Sequence, residues 1–300
     1  MQRAGRLRAA LYGAALSAAG ALLWLGFLHE PAPEFAQLLS QVNANLRLAN
    51  SIPAVDKDGA PVAAHEQLLV AAERDIALAR AQRNDSAVLA EFEGFACSLR
   101  GKDEQAAAHY RRARSLPDCE KSQRDVLTFN EARMLRRAGK PEAALAVLDD
   151  AQTSFEGAYA AQCRVERAEL LGQLSRVETP DSASRRARSV ALLDEVLGGE
   201  VPVAWAQAGQ VYQSLGLENE AEAAWAKASP TVPIADGFRA RLKLRAGDVD
   251  TALQLFERAA RAAPAEMRRL VREDPAAWQA IAKDARFVQL VESKAAAPVR

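Results

Sequence analysis

Two arginines carry the clearest binding chemistry in this sequence. Arg133 and Arg136 lie three residues apart in the stretch RDVLTFNEARMLRRA. Residues at this spacing share one face of a helix, so both guanidinium groups can meet the same partner. Arginine offers paired N–H donors that match the two oxygens of a carboxylate. The spacing therefore predicts a surface that binds acidic groups, and the alternative is a pair of solvated surface side chains.

Residue types used in catalysis are present but scattered. His29, His65 and His109 do not form a metal-binding HExxH pattern, and the chain has neither a GxSxG motif nor a glycine-rich phosphate loop. Acidic runs such as GLENEAEAA are typical of an exposed helix face. We therefore expect a protein that is not an enzyme and that has no catalytic residues, cofactor or metal.

The cysteine count argues against a disulfide framework. Cys97, Cys119 and Cys163 are an odd number and contain no CxxC pair. Cys97 follows an apolar run and is expected to be a small core residue. One disulfide between an undetermined pair remains open if the chain folds in an oxidising compartment.

Composition favours helices and excludes a general nucleic-acid surface. Lys+Arg and Asp+Glu number 39 each, so the formal net charge is +0, whereas nucleic-acid binding needs a basic excess on one face. Hydrophobic residues make up 49% of the chain and aromatic residues 6%, and alanine is abundant. This balance suits closely packed helices and predicts an all-α fold.

The N-terminus predicts a membrane anchor. Residues 1–8 form a basic tail, and residues 9–28 run twenty positions without a charge. A helix of that length spans roughly 30 Å, the thickness of the bilayer hydrocarbon. Arginines stay on the cytoplasmic side, so the rest of the chain is expected outside the cytoplasm. A cleaved signal peptide and a buried soluble helix are the alternatives.

Further assignments follow from this anchor. Gly13, Ser17 and Ala21 have the small-xxx-small spacing that permits a homodimer through two membrane helices. Residues 29–61 are assigned to a juxtamembrane helix and a linker. Alanine- and arginine-rich usage indicates a bacterial source, so we expect a single-pass protein of the inner membrane whose body lies in the periplasm.

A repeated sequence pattern, which we call the grid, extends through much of the rest of the chain. Four glycines, at 101, 139, 216 and 247, are each followed after five, nine and twelve residues by a small, a large and a small residue. Glycine ends one helix in a left-handed conformation, and the triplet then marks one face of the next helix. Gly172 is assigned the same role, with its second helix delayed beyond the insertion at 175–184.

This grid resembles the tetratricopeptide repeat, whose period is about 34 residues. The matching residues are the glycine, the small–large–small triplet and the terminal Pro264, although the tryptophan usual in the first helix is missing or shifted. The resemblance implies a right-handed superhelical solenoid of antiparallel helix pairs, preceded by a single N-terminal transmembrane helix. Residues 62–264 are assigned to about five units, the first degenerate, and residues 265–300 to capping helices and a tail.

The resemblance also implies a concave face built from the first helix of each pair, which commonly contacts an extended peptide. Counting back from each glycine gives positions that include Glu91 and Ser98. The residues predicted to bind a partner are Phe95, Phe129, Arg133, Arg136, Gln162, Glu166, Gln210, Gln213 and Arg241. The phenylalanines would form an apolar floor, and the alternative is that they fill the core.

The resulting hypothesis is a membrane-tethered scaffold or adaptor for proteins or peptide segments of an envelope assembly or secretion complex. One alternative is a permanently packed structural subunit of a membrane complex. Another is a small-molecule-binding or enzymatic protein with a pocket near the 175–184 insertion.

Overall fold

The computed structural model describes residues 33–55, 60–152 and 154–292. These parts of the chain contain fourteen α-helices and one short 3-10 helix, so the prediction of an all-α fold is confirmed for them. The predicted span at 9–28, its basic tail at 1–8 and the Gly13, Ser17 and Ala21 face lie outside the described residues. Among the helices that are described, none is long and apolar enough to cross a membrane.

The chain forms two compact units, Met1–Ala151 and Gln152–Arg300. In the described part of the first unit, each helix packs against the one that follows it. Its helices are α1 (Pro33–Ser51), α2 (Ala63–Gln82), α3 (Ala87–Leu99), α4 (Asp103–Ser115), α5 (Lys121–Arg137) and α6 (Pro141–Ala151).

The first described hairpin joins α1 to α2. Phe35, Val42 and Leu46 of α1 are buried in one cluster with Leu69 and Ile76 of α2. The helix assigned from sequence to a juxtamembrane segment is thus half of a packed hairpin, and the boundary drawn between residues 61 and 62 falls inside that hairpin. Helix α1 packs against α2 because this packing buries its apolar face.

Glycine ends α3 and α5 in the same way. Gly101 and Gly139 have φ of 68° and 73°, a left-handed conformation that disfavours any residue with a side chain. Each glycine N–H donates to the carbonyl three residues back, and the next N–H donates to the carbonyl five residues back. This is the Schellman arrangement, which pairs carbonyls at the helix end that would otherwise lack partners.

The second unit contains eight α-helices among its described residues, and these also pack in chain order. They are α7 (Gly157–Leu174), α8 (Ser182–Gly198), α9 (Pro202–Ser214), α10 (Glu218–Ala228), α11 (Ile234–Arg245), α12 (Val249–Ala262), α13 (Pro264–Glu273) and α14 (Ala285–Glu292). Gly216 and Gly247, with φ of 75° and 80°, close α9 and α11 as predicted.

Gly172 does not close a helix, so that assignment was wrong. It lies inside α7, which continues to Leu174. A Cβ atom at Gly172 would lie 3.1 Å from Leu215 Cδ2 and 3.5 Å from Ser189 Oγ. This glycine therefore permits close packing of α8 and the end of α9 against α7. Its spacing matches that of the repeat glycines, but its role is packing and not helix closure.

The large residue of each triplet and the small residue before it are buried as predicted. Tyr110, Leu148, Trp225 and Phe256 are at most 4% exposed. The small residue before each is fully buried, at positions 106, 144, 221 and 252. After the insertion, α8 presents Ser189, Leu193 and Val196 at the corresponding spacing, and all three are buried. These side chains hold the two helices of each pair together.

Gly209 tests the contact between paired helices. A Cβ atom there would lie 2.4 Å from Trp225 Nε1, and Trp225 is held by a 3.0 Å hydrogen bond to the Ala206 carbonyl. We expect Gly209→Ala to lower the free energy of unfolding by about 1–3 kcal/mol through over-packing. Gly198→Ala is the control, because no neighbouring atom lies within 4 Å of its added Cβ. Equal denaturation midpoints for the two variants would contradict this packing.

The insertion at 175–184 packs against the end of α9. Arg176 and Arg186 donate to the carbonyls of Ser214 and Leu215 at 2.9 and 2.6 Å. Cationic side chains at a helix C-terminus pair its last carbonyls and complement its dipole. Arg176 in the insertion and Arg186 on α8, just after it, therefore join this part of the chain to the end of α9.

The C-terminal segment covers the apolar face of α12. Phe256 of α12 lies with its ring centroid 5.3 Å from Trp278 and 4.7 Å from Phe287. Asp274 accepts from the Ala277 amide at the start of the 3-10 helix Pro275–Trp278, and Asp284 accepts from the Arg286 amide at the start of α14. Residues 265–292 therefore close one apolar surface, as a cap does.

Candidate interaction surface of the first unit

Helices α3 and α5 are joined by polar side chains. Gln123 of α5 donates to the Glu91 carboxylate of α3 at 2.9 Å, and Arg137 donates to the Ser98 carbonyl at 3.4 Å. Glu91 and Ser98 occupy register positions that the resemblance assigns to the concave face, whereas Gln123 was not anticipated. The first helices of two successive pairs thus present neighbouring surfaces.

Arg133 lies over an aromatic ring on this surface. Its guanidinium carbon is 5.8 Å from the centroid of the Phe129 ring, a cation–π geometry. Arg133 is exposed, and Phe129 and Arg136 are partly exposed. The structure therefore brings the predicted Arg133 and Phe129 into contact and leaves the guanidinium group accessible to a partner.

Phe95 has a different role from the one predicted. It is partly buried and packs against the apolar cluster formed by α1, α2 and α3. Its ring therefore contributes to the hydrophobic core of the first hairpins, which was the alternative interpretation of this residue.

Burial shifts the pKa of two polar side chains of the first unit, Glu91 on α3 and Tyr110 on α4. Burial raises the pKa of the Glu91 carboxyl, and the hydrogen bond from Gln123 opposes part of that effect. Burial also raises the pKa of the Tyr110 hydroxyl, against the opposing effects of its hydrogen bond with Ser98 and the charge of Arg133.

The predicted residues of the second unit differ in their exposure. Glu166 is buried at 7% exposure, while Gln162 and Gln213 are partly exposed and Gln210 is exposed. Arg241 forms an ion pair with Asp274 of the C-terminal segment. Positions in α7 were counted from Gly172, which is not the end of that helix, so their predicted exposure does not hold at Glu166.

Two buried carboxylates join successive hairpins of the first unit, and sequence reasoning missed both. Glu131 is fully buried and pairs with Arg111 and Arg114 of α4 at 2.7 and 2.9 Å. Glu93 is 4% exposed and pairs with Arg80 of α2 and His109 of α4. Each glutamate lies eight residues before the glycine that closes its helix. A glutamate that recurs at this position of a buried helix face was the sequence signal that could have revealed both ion pairs.

The His109 ion pair predicts a pH dependence of stability. Hydrogen bonds to Cys97 and Glu93 raise the pKa of His109 to about 9, while Arg80 and Arg112 also face Glu93. The folded chain therefore keeps a proton that an unfolded histidine loses near pH 6.5. This stabilisation is complete below about pH 6.5 and is lost as the pH rises through about 9.

Chemical denaturation at a series of pH values tests this dependence. The free energy of unfolding of the protein that retains Cys97 and His109 should fall as the pH rises from 6.5 to 9. Adding His109→Gln should flatten the curve across that interval. A curve of the same slope with and without His109 would show that its proton does not contribute.

Comparisons with known proteins add no family assignment. No protein-family model and no curated protein matches this chain. Within the described residues no group of three or more His, Cys, Asp or Glu side chains is arranged to hold a metal ion. The interaction surface on α3 and α5 is therefore interpreted from its own geometry.

Proposed function

We propose that this chain is a membrane-tethered scaffold or adaptor of the tetratricopeptide type. In this proposal residues 9–28 anchor it in a bacterial inner membrane, and its helix pairs form a right-handed superhelical solenoid on the periplasmic side. It binds proteins or extended peptide segments of an envelope assembly or secretion complex. Tethering raises the local concentration at the membrane, so individually weak contacts are sufficient.

The observation that carries the proposal is the placement of Arg133 over Phe129, on a surface shared by α3 and α5. Other arginines of the first unit pair with acids, such as Arg111 and Arg114 with Glu131. Arg133 instead combines exposure with an apolar ring beneath it. This combination suits a carboxylate on a partner segment whose apolar side chains contact the ring.

Support also comes from the repeated local structure. Gly101, Gly139, Gly216 and Gly247 share one closing conformation, and the large residue of each following triplet is buried together with the small residue before it. A protein built from such pairs presents a row of first helices to a partner. The neighbouring helices α3 and α5 are two successive members of that row.

Site-specific crosslinking in intact membranes tests the proposal. A photoreactive amino acid replaces Arg136 in one variant and Arg74 in a control, since the Arg74 side chain is 72% exposed on α2. We expect one protein to be captured from position 136 and to be absent at position 74. Capture of the same proteins from both positions would contradict a specific surface on α3 and α5.

The stability of the captured complex separates the adaptor from the alternatives. An adaptor is expected to release its partner when salt or a competing acidic peptide is added, because an exposed Arg133 contact is screened. A stoichiometric complex that survives purification in high salt would instead identify a permanently packed structural subunit. Capture from the insertion at 175–184, and not from position 136, would favour a site near that insertion.

A further inference from the structure

Helix α2 carries an exposed face with a single charged side chain. Because an α-helix has 3.6 residues per turn, Val70, Arg74, Ala77, Leu78 and Ala81 fall on one side of α2, and all five are exposed. Val70 and Leu78 are 53% and 50% exposed, so two large aliphatic side chains meet solvent here. We call these five residues the α2 outer face.

The acidic side chains of α2 lie beside this face or beneath it. Glu66 and Glu73, at one margin of the face, both pair with Arg100 at the end of α3. Asp75 pairs with Arg74 at 3.0 Å, but the Asp75 side chain is only 4% exposed, whereas that of Arg74 is 72% exposed. The α2 outer face therefore presents apolar side chains and one guanidinium group.

The packing of α1 on α2 places one end of this face beside the start of α1. His65 Nδ1, at the start of α2, lies 3.0 Å from the carbonyl oxygen of Ala49, at the end of α1. The two helices are therefore antiparallel. The end of α2 that carries Leu78 and Ala81 consequently lies next to the first residues of α1.

The length of the connection to the proposed anchor limits where this end of α2 can lie. The proposed span ends at residue 28 and α1 begins at Pro33, so residues 29–32 separate them. The five Cα–Cα steps from 28 to 33 extend to at most about 18 Å. The headgroup layer adds about 5–8 Å on each side of the hydrocarbon, and a helix with its side chains is about 10–12 Å across. The first hairpin is therefore held at the membrane surface.

We propose that the α2 outer face lies on the surface of the membrane that anchors the chain, with phospholipid as its partner. Val70 and Leu78 reach the boundary between headgroups and acyl chains, and Arg74 contacts phosphate oxygens. Two aliphatic side chains and one cation bind a membrane weakly by themselves, but the tether makes this contact intramolecular. The inference rests on the anchor of the proposed function and adds an orientation for the first hairpin.

Fluorescence quenching by lipid tests this orientation in the full chain. The three native cysteines are replaced by serine, and a nitrobenzoxadiazole label is attached to Leu78→Cys or, as a control, to Glu104→Cys. The Glu104 side chain is 63% exposed at the start of α4, and α3, about 20 Å long, separates it from the end of α2. The protein is reconstituted into phosphatidylcholine vesicles that contain phosphatidylglycerol and a lipid with a nitroxide near its headgroup. We expect at least about two-fold stronger quenching at position 78, because only that label lies at the depth of the interface.

Flotation of the vesicles separates failure of this inference from failure of the anchor. A chain that does not float with the vesicles would contradict the anchor and this inference together. A chain that floats but shows equal lipid quenching at positions 78 and 104 would overturn this inference alone. So would a label at position 78 that is shielded from iodide in solution and is not quenched by lipid, because protein would then cover the face.

Arg74→Glu tests the contribution of charge to the same contact. We expect it to lower lipid quenching at position 78 by at least about two-fold in the vesicles with phosphatidylglycerol, because a cation near an anionic surface favours attachment. The loss should be smaller in vesicles of phosphatidylcholine alone, and flotation and circular dichroism should not change. An Arg74→Glu protein that is quenched as strongly as the protein with Arg74 would overturn the proposed headgroup contact.

Discussion

Phe256→Ala is expected to lower the free energy of unfolding by about 3–5 kcal/mol, the ordinary cost of truncating a large buried aromatic side chain. Phe256 is 1% exposed and contacts the rings of both Trp278 and Phe287. Its removal leaves a cavity that these two rings cannot fill without leaving their own contacts. Urea denaturation followed by tryptophan fluorescence measures the change, since Trp278 lies against the altered site.

Tyr159→Ala is the control for this prediction. Tyr159 is an aromatic residue of the second unit that is 43% exposed, so its truncation should change the free energy of unfolding by no more than about 0.5 kcal/mol. Similar losses for Phe256→Ala and Tyr159→Ala would contradict the burial of the large triplet residue and the capping role of the C-terminal segment.

The double variant Arg111→Ala, Arg114→Ala is expected to lower the free energy of unfolding by about 3–5 kcal/mol at neutral pH. Both arginines pair with Glu131, which is fully buried. Their removal leaves a buried carboxylate without a compensating charge, and this costs more than the ion pair contributes. Equilibrium denaturation at neutral pH measures the loss.

Adding Glu131→Gln to that double variant provides the matched comparison. The amide has nearly the shape of the carboxylate but no charge, so the triple variant should recover most of the lost stability. Arginine side chains that are 60% and 33% exposed can reach water when Glu131 alone is changed, so Glu131→Gln by itself should cost less. A triple variant as unstable as the double variant would show that the arginines act through packing.

The features of the fold that could be predicted from the sequence are those that depend on residues close together in the chain. Four glycines and their triplets predicted the helix ends and the buried faces, because left-handed closure and helical spacing depend on nearby residues. The role of Gly172 could not be predicted in this way, because it depends on contacts with Leu215 and Ser189, which are distant in sequence. The packing of α1 on α2 is likewise a tertiary contact that no local sequence motif predicts.

The candidate surface was only partly predictable for similar reasons. Helical spacing placed Arg133 and Arg136 on one face, but the spacing does not say which arginines are occupied by acids. Arg241 pairs with Asp274, thirty-three residues away, whereas Arg133 lies over Phe129 within its own helix. Partners from other helices also determine the roles of Glu93 and His109, which is why their contact was not anticipated.

Partner capture by charge-reversed protein tests the central claim most directly. Arg133→Glu with Arg136→Glu reverses the charge of the α3–α5 surface, and Arg185→Glu with Arg188→Glu makes the same change in net charge at the same spacing on α8. We predict that the first pair weakens capture by at least about ten-fold, about 1.4 kcal/mol, while the second leaves it unchanged. Undiminished capture by the Arg133→Glu, Arg136→Glu protein would contradict the proposed binding surface.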